Sequence, residues 1–366
     1  MKITHVETVR ISEMRHGELG YLIIVHTDLG IDGLGEVAAD CHPSAVAHCI
    51  RRMDLAGLDP MRIEAFWQKF HDGSFWRGGP IWTSAVSGVE QALWDIKGKA
   101  LGAPVYELVG GAVRDRIKLY THTRMGNESP EEFGQAAAEA VAEGFHALKF
   151  DPLGTANQRM DASEMRLAES RIRATREAAG EDIDILIEGH GRLSPAMAIQ
   201  MAQRMEPYEP FFFEEPVAPD NVAELARVSA SINIPVASGE RLYTRWMFRE
   251  LLESQAVDYI QPDLCHCGGF AEARKIAAMA EVYHIRVTPH NPNGPISTLV
   301  GLHLGACTPN FEMLEYGQDD EEKVRLLLHM PEVVDGHMAI PTRPGWGVEV
   351  SEDILSRFRV ETDSAQ

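Results

Sequence analysis

The chain has 366 residues, too many for one average domain but enough for a barrel of about 250 residues plus a smaller unit. Hydrophobic residues make up 45% and charged residues 24%, a globular balance that excludes a disordered chain. With 34 Lys and Arg against 55 Asp and Glu, the net charge of −21 argues against a nucleic-acid or anionic-membrane partner. An anionic small substrate stays open, because a bound dication reverses the field locally. The five cysteines are odd in number, and Cys265-His266-Cys267 lacks the spacing of a zinc knuckle or a redox pair. Reduced thiols in a cytoplasmic protein are therefore expected. The N-terminus MKITHVETVRIS has no apolar core of a signal peptide, and no apolar run is long enough to span a membrane.

Residues 1–37 read as β structure. Lys2–Ser12 alternates, Tyr21–Thr27 is β-branched, and Gly30 and Gly33 mark turns. The polar loop between the first two strands contains His16, which has no structural duty there. From His42 to Lys99 the apolar spacing is helical, interrupted by Phe75-Trp76-Arg77-Gly78-Gly79-Pro80, which must be a loop. This α+β capping unit is placed at residues 1–113. From 114 to 330 strands and helices alternate, the sign of a parallel α/β sheet. Eight strands are predicted: Ile117–His122, Ala147–Asp151, Ile183–Glu188, Phe211–Glu214, Pro235–Ser238, Tyr259–Asp263, Arg286–His290 and Phe311–Glu315. Eight strands with helices between them close into a (β/α)8-type TIM barrel. The tail, 331–366, carries Pro344-Gly345-Trp346-Gly347 and is expected to return to the cap.

The strand ends carry the chemistry. Glu188, Glu214 and Glu240 close three successive strands at equal intervals, which sets three carboxylates on the C-terminal face of the barrel. They would repel one another without a cation between them, and an all-oxygen set favours Mg²⁺. Asp263 and His290 end neighbouring strands and can pair, so that the carboxylate fixes the imidazole tautomer and raises its basicity. His190 shares the parity of Glu188 and can act as an acid. Lys149 and Glu315 can help the cation stabilise negative charge. These parts suit proton abstraction alpha to a carboxylate.

The chain resembles the mandelate racemase subgroup of the enolase superfamily, and within it the acid-sugar dehydratases. The resemblance rests on FWRGGPIWTSAVSGVEQALWDIKGKALGAPVYELVGG, then EGHGR, FEEP, SGER, QPDLCHCGG, TPHNPNGP and the PGWG tail, so it spans nearly the whole chain. It implies metal ligands at Glu188, Glu214 and Glu240, a dyad of His290 and Asp263, a second acid/base at His190 and an assisting Glu315. It also implies a homo-oligomer, with an octamer as one form. A Lys or His base with Mg²⁺ is the general pattern of such sites.

Two positions depart from the family pattern. The first ligand is usually Asp, and Glu188 is one methylene longer. Where racemases of the subgroup carry Lys-x-Lys, this chain has Lys149-Phe150-Asp151, so the second lysine base is missing. One-base elimination is thereby favoured over two-base racemisation, and Asp151 is assigned to a substrate hydroxyl. His16, Trp76, Arg77 and Trp346 sit in loops that can lie over the barrel mouth, which makes them candidates for substrate contact. The expected reaction is dehydration of an aldonate such as galactonate or gluconate to a 2-keto-3-deoxy acid, a hydro-lyase reaction. The alternatives are epimerisation alpha to a carboxylate, a metallohydrolase, for which Tyr120-Thr121-His122-Thr123 lacks the needed His-x-His, and a non-catalytic binding barrel.

Overall fold

The computed structural model describes residues 1–13, 19–38, 42–317 and 326–364. His16 lies outside the described residues. Strands β1 (Ile3–Glu13), β2 (Leu19–Thr27) and β3 (Gly33–Val37) form an antiparallel sheet in sequential order. Helices α1 (Pro43–Arg52), α2 (Ile63–Trp67) and α3 (Pro80–Leu101) complete the cap. The third of these starts on a proline and stops at Gly102, whose φ of 67° only glycine adopts readily. It packs tightly on β3. A Cβ on Gly35 would stand 1.9 Å from the Gly88 carbonyl oxygen, and one on Gly33 2.0 Å from that of Ala92. Glycine at both positions is what lets the backbones touch.

The second unit is the capped barrel's body. Its strands are β4 (Arg116–Met125), β5 (Ala147–Asp151), β6 (Asp184–Glu188), β7 (Phe212–Glu214), β8 (Val236–Ser238), β9 (Tyr259–Ile260), β10 (Arg286–Val287) and β11 (Leu314–Tyr316). They are parallel neighbours in sequence order, and β11 returns to pair with β4. A parallel bridge between Val287 and Phe311 closes the ring. Between the strands run α4 (Pro130–Ala142), α5 (Ala162–Ala179), α6 (Pro195–Met205), α7 (Val222–Ser229), α8 (Thr244–Glu253), α9 (Phe270–Val282) and α10 (Pro295–Cys307). Local signals set their starts: Ser129 with Glu132 and Asp161 with Glu164 form capping boxes before α4 and α5. The expected strands ending on Asp263 and His290 stop earlier, at Ile260 and Val287. Pro262 and Pro289 each lack a backbone donor just past these ends, so both residues sit in loops beyond the ladder.

The tail makes β12 (Leu327–Leu328), β13 (Val333–Val334), β14 (His337–Ala339), β15 (Glu349–Val350) and α11 (Glu352–Ser364). The β14 strand pairs antiparallel with the start of β4, at the end of the barrel away from the charged strand ends. The chain then runs back to the cap, where Arg359 Nε meets Glu7 of β1 at 2.7 Å.

Candidate active site

Inside the barrel, Tyr120, Ala147, Leu186, Phe212, Ala237 and Met313 form a fully buried plug. Side chains alternate along a strand, so the residues two positions on also point inward. On β4, β5, β6, β7 and β11 these are His122, Lys149, Glu188, Glu214 and Glu315. An apolar floor is thus overlaid by a charged layer. The parallel register sets His122 beside Lys149 and Glu188 beside Glu214.

Lys149 is the hub of this layer. Its Nζ lies 2.8 Å from Glu214 Oε1, 2.8 Å from Glu315 Oε1 and 3.2 Å from Glu188 Oε2. Glu315 also accepts from the Asn291 backbone N–H at 2.7 Å and pairs with His122. Glu240 joins from the loop after β8. One oxygen each of Glu188, Glu214 and Glu240 lies within 4.8 Å of the others. Glu214 Oε2 is buried and accepts no hydrogen bond, and Glu188 Oε2 has only the Lys149 ammonium beside it. Burial opposes charge at both, yet Lys149 and then His190 hold Glu188 down to about 2. Burial, with the Glu188 charge next in weight, pushes Glu214 well above the usual carboxylate range. The Glu188 and Glu214 carboxylates thus disfavour each other's charge. A buried oxygen without a partner and carboxylates that repel one another fit a hard dication, and these three residues could hold one.

Two imidazoles flank the trio. His290 Nδ1 meets Asp263 Oδ2 at 2.7 Å, and its Nε2 lies 3.3 Å from Glu240 Oε2. Burial disfavours its charge, but Glu240, Glu315 and Asp263 hold the ring well above its ordinary range. Asp263 is itself fixed: Oδ1 accepts from Cys265 N at 2.7 Å and Oδ2 from Asn293 Nδ2 at 3.0 Å. His190 follows β6 in the left-handed region, with φ of 48°. That turn folds its backbone N–H onto Glu188 Oε1 at 2.7 Å and its Nδ1 onto Asp151 Oδ2 at 3.0 Å. Here too burial opposes charge, while Glu188 and Asp151 favour it, and the ring is raised.

Family models match both units of the chain. Residues 5–110 match the mandelate racemase / muconate lactonizing enzyme N-terminal domain, and residues 132–354 the enolase C-terminal domain-like family. The chain belongs to the enolase superfamily, in its mandelate racemase subgroup. A D-galactonate dehydratase of Xanthomonas oryzae pv. oryzae is 38% identical over 98% of this chain and 94% of the relative. One of Ralstonia nicotianae is 35% identical over 99% and 96%. Among solved structures, an enolase-superfamily member from Salmonella Typhimurium has a TM-score of 0.91 at 36% identity, over 97% of this chain and 98% of that one. A mandelate racemase/muconate lactonizing enzyme from Jannaschia sp. CCS1 has 0.91 at 34% identity, over 98% and 97%.

The structure places four expected substrate contacts of this superfamily member as follows. Asp151 is buried and committed: its carboxylate takes His190 Nδ1, Arg192 Nη2 and the Leu153 backbone N–H. It is a partner of His190 and not a free hydroxyl ligand. Trp346 is 0% exposed and sealed in the cap–barrel seam, with Nε1 donating to Leu34 O at 3.1 Å and its ring against Phe270 and His303. It packs and does not face the mouth. Arg77 turns to Asp72 at 3.6 Å and lines a cavity of about 320 Å³ with His71, Tyr243 and Trp246, none of them in the charged layer. Trp76 is 86% exposed, and its ring meets Phe75 edge-on within its own loop. Conversely, His122, Asn291 and Asn293 belong to the site and are absent from the expected set. His122 is detectable, since it shares the inward parity of Tyr120. The two asparagines carry no periodic signal. Among the described residues, no helix is long and apolar enough to cross a membrane.

Proposed function

We propose that this protein dehydrates an aldonate to a 2-keto-3-deoxy acid, with Mg²⁺ bound by Glu188, Glu214 and Glu240. The protein is a hydro-lyase, as its curated relatives are named dehydratases over nearly the whole chain. The observation that carries the reading is a pair of imidazoles, each backed by its own carboxylate, around a single carboxylate trio. The cation would supply positive charge where the substrate carboxylate develops its second negative charge.

The residues divide the work between two steps. Asp263 accepts the His290 Nδ1–H and leaves Nε2 to take the proton from C2. The C–H electron pair moves into a C1–C2 double bond, giving an enediolate. Lys149, which contacts Glu188, Glu214 and Glu315, brings a buried positive charge to the same layer. The carboxylate then re-forms, the C1–C2 π pair shifts to make a C2–C3 double bond, and the C3–O pair leaves with the hydroxyl oxygen. His190, held through Nδ1 by Asp151, gives its Nε2 proton to the departing hydroxyl, which leaves as water. The enol that remains tautomerises to the 2-keto acid. An Asp on β5 where a racemase needs a second lysine supports elimination over inversion.

The test is a panel of aldonates and aldarates with Mg²⁺, assayed for 2-keto-3-deoxy products. One strong hit that His290→Asn abolishes supports the reading. Deuterium uptake at C2 without loss of water would instead favour an epimerase.

A further inference from the structure

The helix α10 begins just after His290, behind Gly294, which has no side chain to cap it. The cap domain supplies the missing acceptor. Glu36, 2% exposed on β3, accepts the N–H groups of Gly294 at 2.5 Å, Ile296 at 3.0 Å and Ser297 at 3.1 Å. A helix start otherwise leaves such donors unmet. The fit is close: a Cβ on Gly294 would stand 2.7 Å from Glu36 Oε1. The residue before it, Asn293, donates to Asp263 Oδ2 at 3.0 Å.

The other side of the dyad is tied to the same point. Gln91 of α3, 0% exposed, accepts the Glu36 backbone N–H at 2.9 Å and donates to the Leu264 carbonyl at 3.0 Å. Leu264 directly follows Asp263. One cap locus thus grips the backbone next to Asp263 and the loop that follows His290. Both dyad residues lie past the end of their strands, where the barrel ladder no longer holds them.

We propose that Glu36 and Gln91 are positioning residues: the cap, and not the barrel alone, sets the contact between Asp263 and His290. This rests on the dehydratase reading for its kinetic consequence, while its geometric claim stands apart from it. A base misplaced by about 1 Å loses rate without losing substrate affinity.

The test uses full-length Glu36→Gln and Gln91→Met. The first replaces one acceptor oxygen by an amide N–H₂, which then faces either the Gly294 N–H or those of Ile296 and Ser297; the second keeps the side-chain volume while deleting the bonds to Glu36 N and Leu264 O. With Mg²⁺ and an aldonate the wild type turns over, the expected result is a fall in kcat of about 10²-fold with little change in KM. The primary isotope effect on C2-deuterated substrate should rise, since proton abstraction becomes slower than later steps. A merely structural role would lower stability and leave kcat and the isotope effect of the folded fraction as in wild type, and that result overturns the proposal. Crystal structures of both variants give the second readout. The Asn293–Asp263 or His290–Asp263 contact should open beyond about 3.5 Å. Both contacts unchanged would overturn the proposal whatever the activity. If the wild type neither dehydrates nor exchanges C2 hydrogen, the dehydratase reading fails by itself, and the variant structures still decide the positional claim. If Glu36→Gln does not fold, Gln91→Met carries both readouts.

Discussion

Asp151 Oδ2 accepts a hydrogen bond from His190 Nδ1 at 3.0 Å, across from the base and its own carboxylate. A carboxylate can only accept there, so Nδ1 carries the hydrogen and Nε2 is the nitrogen left for substrate. Replacing Asp151 by Asn removes the charge that favours protonated His190 but leaves His290 untouched. Dehydration should fall by about 10²-fold, the usual worth of a general acid. Wash-in of solvent deuterium at C2, which needs only His290, should persist. Proton NMR of an aldonate in D₂O measures both. Equal loss of exchange and elimination would place His190 in the wrong step.

The charged layer also makes a prediction about metal binding. Glu214 is pushed well above the usual carboxylate range by burial and then by Glu188, so the metal-free trio holds a proton more tightly than separate carboxylates do. A dication makes that proton untenable. Binding of Mg²⁺ should therefore release protons and tighten as pH rises. Calorimetric titration in two buffers of different ionisation enthalpy reads this directly. A binding enthalpy independent of the buffer would contradict the assignment of the trio.

Lys149 stands where three buried carboxylates converge: Glu188, Glu214 and Glu315. Lys149→Met leaves them without that cation. Breaking a buried ion pair from one side costs about 3–5 kcal/mol. The metal-free variant should lose stability on that order, and Mg²⁺ should restore more stability to it than to the wild type. Urea midpoints with and without Mg²⁺ provide the comparison. A loss that Mg²⁺ does not reduce would mean that Lys149 and the ion serve separate groups.

These residues also show how far a sequence alone carries. Glu188, Glu214 and Glu240 are legible because one strand and one helix consume a nearly constant length of chain, so equal spacing becomes a shared barrel face. The pairing of Asp263 with His290 is legible because their strands are neighbours, although both residues sit in loops past the strand ends. The duty of Asp151 is not legible. It depends on the left-handed turn at His190, with φ of 48°, which folds the imidazole back over β5. Nor is that of Trp346, whose burial is set by the meeting of tail, cap and barrel, three surfaces far apart in sequence. The helix cap that Glu36 gives Gly294 crosses 258 residues and has no local signature. His122 does have one, the inward parity of β4. It is missed when the strand is searched only for a His-x-His pair.

Glu90 of α3 offers a test of the cap–barrel seam by pH. It is fully buried and accepts the Phe270 and Ala271 N–H groups at the start of α9 and the Trp94 indole N–H. Burial outweighs those bonds and the distant Lys275 charge, and raises the carboxyl from 4.5 to about 7. The folded protein thus holds this proton more tightly than the unfolded chain does. The stability that comes with it is complete below about pH 4.5 and is lost as pH rises through about 7. A shift of that size corresponds to about 3 kcal/mol. Glu90→Gln cannot titrate and so lacks this dependence, whatever its own baseline. The stability of wild type relative to Glu90→Gln should therefore fall by about 3 kcal/mol between about pH 4.5 and pH 8. Denaturant midpoints of both proteins across that range measure it. A difference that stays flat would mean that the helix α9 donors keep Glu90 ionised throughout, and that the seam does not respond to pH at this point.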